Sequence, residues 1–141
     1  MTRRLGVFLF VLGAVHAGTV NAAEDDPTAA ALQRCLDDAA HASTAGQTEC
    51  EATAMREYDR RMNAAYRTLM RELPPDAAQR LRQAQRAWLA FSTAEADARS
   101  AIYATRQGTM YVPMEAGAST NIVRDRALQL EAYARVLMIE Q

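Results

Sequence analysis

The sequence predicts an all-α fold: a small bundle of about four helices with one disulfide-linked helical hairpin. Three observations carry that prediction. No stretch shows sustained period-two alternation of apolar and polar residues, whereas four show period 3.6. Helix punctuation, at Asp26-Pro27, Pro74-Pro75 and Ser119-Thr120, separates those stretches. The only two cysteines, Cys35 and Cys50, stand symmetrically about a short turn.

Asp26 followed by Pro27 offers an N-cap and a proline at the first helical position, opening a helix that runs to about His41. A turn from Ala42 to Thr44 follows. Thr44 and Gln47 supply a capping box for a second helix, whose stripe is Met55, Tyr58, Met62, Tyr66 and Leu69. Pro74-Pro75 ends it, and a third helix starts near Asp76 with Leu81, Ala84, Trp88, Phe91, Ala98 and Ile102 on one face. Each of these two helices approaches roughly 29 residues, or about 43 Å at 1.5 Å per residue. With only two prolines between them, they are expected to lie antiparallel. Arg106 to Ala118, carrying Gly108, Pro113 and Gly117, reads as a loop. Ser119 or Thr120 then caps a last helix with the stripe Val123, Ala127, Leu130, Ala134 and Leu137. There is no internal repeat or low-complexity tract.

The N-terminal residues set the compartment. Arg3 and Arg4 form a positive n-region, Leu5 to Val15 is apolar, and Val20-Asn21-Ala22 places small residues where signal peptidase reads them. Residues 1–22 are therefore expected to be a signal peptide, and residues 23–141 a single helical domain outside the cytoplasmic membrane, periplasmic or secreted. The apolar run is shorter than the ~20 residues a membrane span needs, so no membrane attachment is expected after signal removal. Losing Arg3 and Arg4 leaves 14 Arg against 17 acids, a formal charge of −3. That balance argues against a nucleic-acid partner and suits a basic one.

The cysteines fit the compartment. The midpoint between Cys35 and Cys50 falls between Ala42 and Ser43, inside the expected turn, and positions equidistant from the turn of an antiparallel hairpin face one another. A disulfide is expected there, stabilising the fold by roughly 3 kcal/mol in the chain-entropy model. A metal site built on Cys35, His41 and Cys50 lacks a fourth ligand.

Polar residues interrupt the apolar stripes at helical spacing. Asp59, Asn63 and Tyr66 share one face of the second helix; Gln85 and Trp88 share one face of the third. They either tie helices together, most simply as a hydrogen-bonded clamp between the second and third helices, or face a partner or ligand.

With these motifs and the cysteine pair, the chain resembles the LprI-type lysozyme inhibitor family of secreted bacterial proteins. Cys35, Cys50, Asp59, Met62, Asn63 and Tyr66 match a family pattern like D-x-x-L-N-x-x-Y following the cysteine turn. Ala84, Gln85, Ala87, Trp88 and Phe91 match A-Q-x-A-W-x-x-F, and Gly108-Thr109 with Arg126-Ala127-Leu128-Gln129-Leu130 match a Gly-Thr loop and R-A-x-x-L. The chain departs where Ser92-Thr93 replace an Arg-Asp pair, Ala96 stands at a cysteine, and no cysteine falls near Ala118 or Ser119. Both partners of a second disulfide are thus missing together, which should leave the Arg106–Ala118 loop freer than in four-cysteine relatives.

The resemblance implies a non-catalytic protein that binds lysozyme or a related peptidoglycan hydrolase and blocks its cleft, where a catalytic carboxylate pair lies. Candidate contacts are in the loop around Tyr111, Met114 and Glu115, with Tyr111 as an aromatic anchor. Asp59, Asn63, Tyr66, Gln85, Trp88 and Arg126 are expected to be structural. A periplasmic immunity or envelope-binding protein with a different target is the alternative.

No cofactor is expected. After signal removal His41 is the only histidine, so a Ser-His-Asp arrangement would have to use a residue beside a helical turn, and there is no C-x-x-C-H haem motif. Met110 and Met114 around Tyr-Val-Pro are thin support for copper. Tyr133, Val136 and Met138, beyond the main stripe of the last helix, leave room for a dimer without fixing an oligomeric state.

Overall fold

The computed structural model describes residues 26–139; the expected signal peptide, residues 1–22, lies outside them. Four α-helices follow in order: α1 Pro27–Asp37, α2 Thr44–Glu72, α3 Pro75–Ala104 and α4 Tyr111–Val136, with a 3₁₀ turn at Ala39–His41. The all-α class and the disulfide-linked hairpin hold, and Cys35 and Cys50 are bonded with their Cα atoms 5.8 Å apart.

Local chemistry sets each boundary. Asp26 caps α1, its Oδ1 accepting from the amides of Thr28 and Ala29 at 3.1 and 3.3 Å, and Pro27 fills the first position where no N–H is needed. The helix stops before His41, because Asp38 leaves helical geometry and caps the 3₁₀ turn through the Ala40 amide. The cap of α2 is Ser43, not the Thr44–Gln47 pair: Ser43 Oγ accepts from Gly46 N at 3.0 Å. Gly46 is required for a close approach, since a Cβ there would lie 2.7 Å from the backbone Cα of His41.

The largest correction concerns the segment from Arg106 to Ala118, where helix α4 already begins at Tyr111. Pro113 sits in its first turn, where the amide it lacks would have no intrahelical partner. Gly117 lies where α4 meets α2, its would-be Cβ 3.2 Å from Glu51 Oε1. Both residues looked like breakers; one is a tolerated helix start and the other a contact glycine. The remaining loop is residues 105–110, with Gly108 at φ 113°, a conformation that favours glycine.

Helices α2 and α4 form the principal packed pair. Tyr58, Met62 and Leu69 meet Leu130 across it, and Ala54, Ala65, Ala127 and Ala134 keep the backbones close. Each fully buried leucine, such as Leu69 or Leu130, contributes about 1.5–3 kcal/mol over an exposed one. The two helices run parallel because α3 carries the chain back between them; Thr120 on α4 bonds the Glu51 carbonyl of α2, and further along Glu131 bonds Arg61.

Helix α1 lies on α2, and α3 rests on the pair through Ala78, Leu81, Gln85 and Trp88. Leu81 near Leu69 and Leu73, and Gln85 beside Met62, give α3 the expected antiparallel direction. Close pairing of α2 with α3 does not occur, because beyond Trp88 the inner side of α3 offers Ser92, Glu95, Ala96 and Arg99. Phe91 and Ile102, expected in the stripe, are exposed.

Candidate functional site

The motif residues divide between two places. Gln85 is buried on α3; its Oε1 accepts from Arg126 Nε at 2.9 Å, and its Nε2 meets Met62 Sδ at 3.8 Å. The Arg126 guanidinium also lies over Trp88, 5.9 Å from the ring centroid. Its Nη1 donates to Gln129 Oε1 at 2.6 Å, and Gln129 Nε2 donates to Tyr133 Oη at 3.0 Å. Burial draws Arg126 below the ordinary guanidinium range. Gln85, Trp88 and Arg126 thus join α3 mainly to α4, with Met62 the link to α2. Tyr66 and Trp88 are half-buried and pack against the core.

Asp59 and Asn63 do not join the expected clamp. Both are exposed on α2, where Asn63 Nδ2 bonds the Asp59 carbonyl and carboxylate at 2.9 and 3.1 Å. Their spacing of four places them on one face, but that face points to solvent. Asn63→Ala is accordingly expected to change stability by less than about 0.5 kcal/mol, as at other exposed positions. Gln85→Ala strips the Nε partner from a buried guanidinium and should cost about 1–3 kcal/mol. Urea denaturation of the two variants distinguishes them, and equal losses would count against this division.

A second polar cluster was not singled out from the sequence. Arg61 of α2 donates through Nε and Nη2 to the two carboxylate oxygens of Glu131, each at 2.8 Å. Its Nη1 reaches Asp26 Oδ1 at 2.5 Å and Thr28 Oγ1 at 2.9 Å. Tyr58 Oη donates to Asp26 Oδ2 at 2.8 Å, and the guanidinium lies 5.1 Å from the Tyr58 ring centroid. Burial pushes Asp26 up, but the bonds from Arg61, Tyr58 and the Ala29 amide outweigh it and hold its carboxyl below the usual range. Burial and then the Asp26 carboxylate raise the Tyr58 phenol. The bonds to Glu131 and Asp26 raise Arg61 against its burial. The available signal was an arginine beside the Tyr58–Met62 stripe, together with an Asp26 whose capping role explained only one of its oxygens.

The third feature is the end of the bundle where α4 begins. Met110, Val112 and Met114 are exposed there, while Tyr111 and Glu115 are half-buried. Tyr111, Met114 and Glu115 therefore occupy the first turns of a helix and not a protruding loop. Met110, Pro113 and Met114 border a groove of about 550 Å³ whose other wall is Leu36, Ala42, Thr44, Gln47 and Glu51 from the disulfide hairpin. The Glu51 Oε2 atom is buried without a hydrogen-bond partner among the described residues. The ligand atoms of Cys35, His41 and Cys50 lie within 4.8 Å of one another, but the bonded sulfurs offer no thiolate to a metal.

A family model described as "Lysozyme inhibitor LprI" matches residues 35–130. The chain is also similar to a crystal structure of an uncharacterized protein from Burkholderia thailandensis, with 37% identity and a TM-score of 0.75. That similarity covers 80% of this chain and 56% of the other, so this chain spans little more than half of that protein. No curated protein matches significantly.

Proposed function

Because the chain belongs to the LprI family of lysozyme inhibitors, matched over residues 35–130, we propose that it is an exported, non-catalytic protein that binds a lysozyme or related peptidoglycan hydrolase and blocks its cleft. The family match is the observation that carries this reading. Residues 1–22 read as a secretory signal, which supports a periplasmic or secreted location, and no described helix is long and apolar enough to cross a membrane.

The contact surface we assign is the start of α4. Met110, Val112 and Met114 present exposed apolar area beside a groove, the arrangement suited to a central anchor with a polar rim. Tyr111 and Glu115 flank it, and Glu51 adds negative charge suited to a basic enzyme surface. Mature, oxidised protein assayed against c-, g- and i-type lysozymes on peptidoglycan should inhibit at least one class at micromolar concentration. Met114→Glu should weaken that inhibition at least tenfold, about 1.4 kcal/mol, without lowering the melting temperature. No inhibition of any class removes the functional reading; inhibition that survives Met114→Glu removes only the surface.

A further inference from the structure

Arg126 is the buried cation that the bundle leaves without a counter-charge. It is 8% exposed, and no carboxylate lies within ion-pair distance of it among the described residues. Arg61, whose side chain is 15% exposed, is given both Asp26 and Glu131. Among the described residues Arg126 has only the neutral amides of Gln85 and Gln129, and its Nη2 has no hydrogen-bond partner. A buried charge is ordinarily paired, because its desolvation is otherwise uncompensated.

An open groove of about 430 Å³ runs beside this arginine, walled by Trp88, Phe91, Ile122, Asp125, Arg126 and Gln129. Asp125 is already engaged by Arg124 at 2.8 Å. Phe91 is 56% exposed among the described residues, a large aromatic surface on the groove. The combination of a guanidinium with one unpartnered nitrogen, a second held only by an exposed amide, and an aromatic wall is what a carboxylate carried on an apolar or ring-shaped body requires.

We propose that the groove between α3 and α4 is a binding site for a small carboxylate-bearing ligand, held by the Nη1–Nη2 edge of Arg126 and flanked by Trp88 and Phe91. Gln129 occupies Nη1 through a single neutral acceptor and is itself exposed, so it is the side chain the carboxylate displaces. Exchange of one amide oxygen for two carboxylate oxygens gives Nη2 its missing partner. This site is separate from the start of α4 and does not rest on lysozyme inhibition.

The test is an NMR titration of the mature, oxidised protein, following the Trp88 indole N–H and the Arg126 Nε–H. The probes are phenylacetate, N-acetylmuramic acid and, as the neutral control, phenylacetamide. Saturable shifts of both signals are expected with the acids and not with the amide. Tighter binding of N-acetylmuramic acid assigns a cell-wall source, and tighter binding of phenylacetate a free organic acid; either supports the site. Phe91→Ala, at an exposed position, should weaken the acid by roughly three- to tenfold, the scale of one aromatic contact. Gln129→Ala, which removes the competing acceptor, should tighten it. Absence of saturable shifts, or equal shifts with phenylacetamide, overturns the proposal. So does a Phe91→Ala variant that loses lysozyme binding while neither acid binds the parent, since the groove would then read a protein surface.

Discussion

Arg61→Met is expected to lower the stability of the oxidised protein by about 3–5 kcal/mol, the usual cost of removing one partner from a buried ion pair. The side chains of Arg61 and Asp26 are only 15% and 8% exposed, so Asp26 left alone retains its charge where water cannot replace the guanidinium. Glu131, at 24%, recovers part of its hydration and contributes less. Methionine keeps most of the arginine stem, which separates loss of charge from loss of packing. Adding Asp26→Asn to Arg61→Met should therefore cost less than Asp26→Asn alone, because no buried charge remains to be stranded. Urea denaturation of the four proteins gives the coupling directly. A loss under about 1 kcal/mol for Arg61→Met would mean that water reaches Asp26.

The same cluster sets a pH dependence. The native carboxyl of Asp26 lies below its ordinary value of 3.8, so the folded state binds its proton less readily than the unfolded state does. Its contribution to stability is thus complete above that ordinary value and disappears as the pH falls through the lower native one. Arg61→Met removes the first of the bonds that outweigh burial, and should shift the onset of acid unfolding to higher pH.

Helix number, order and direction were legible because they depend on local signals: Asp26-Pro27, Pro74-Pro75 and period-3.6 stripes act within a few residues. The disulfide was legible because a hairpin turn fixes which positions face each other. The start of α4 was not, because Pro113 and Gly117 carry the same local signal in a loop as at a helix start and a helix contact. The partner of α2 was not legible either. Periodicity says that Tyr58, Met62 and Leu69 are buried, but not that small residues on α4 let it come closer than α3. The motif Asp59-x-x-x-Asn63 failed as a clamp for a related reason, since spacing assigns two residues to one face and says nothing about what that face meets. Gln85 and Trp88 meet Arg126 of α4 instead, a pairing across α3 and α4 that the spacing within one helix did not indicate.

Replacing Cys35 and Cys50 by alanine should destabilise the protein by about 3 kcal/mol, the chain-entropy value for a loop of this size. For a domain of this length that corresponds to a melting temperature lower by roughly 10–15 °C. Wild-type protein in dithiothreitol should approach the variant, and the variant should ignore the reductant. The effect has a definite location. Helix α1 has 11 residues, too few to be helical alone, and only Thr28 within it is buried. It is held at one end by Asp26 on Tyr58 and Arg61 and at the other by the disulfide. Losing the disulfide frees the end that carries Leu36 and the turn through Ala42, which form one wall of the groove facing Met110 and Met114. Hydrogen exchange should therefore quicken in α1 and the 3₁₀ turn while the α2–α4 core stays protected. If lysozyme is held at the start of α4, inhibition should fall in the double alanine variant under conditions where the core is still folded. Uniform acceleration of exchange across α2 and α4 would show instead that the hairpin and core unfold as one unit, and would remove the link between the disulfide and that surface.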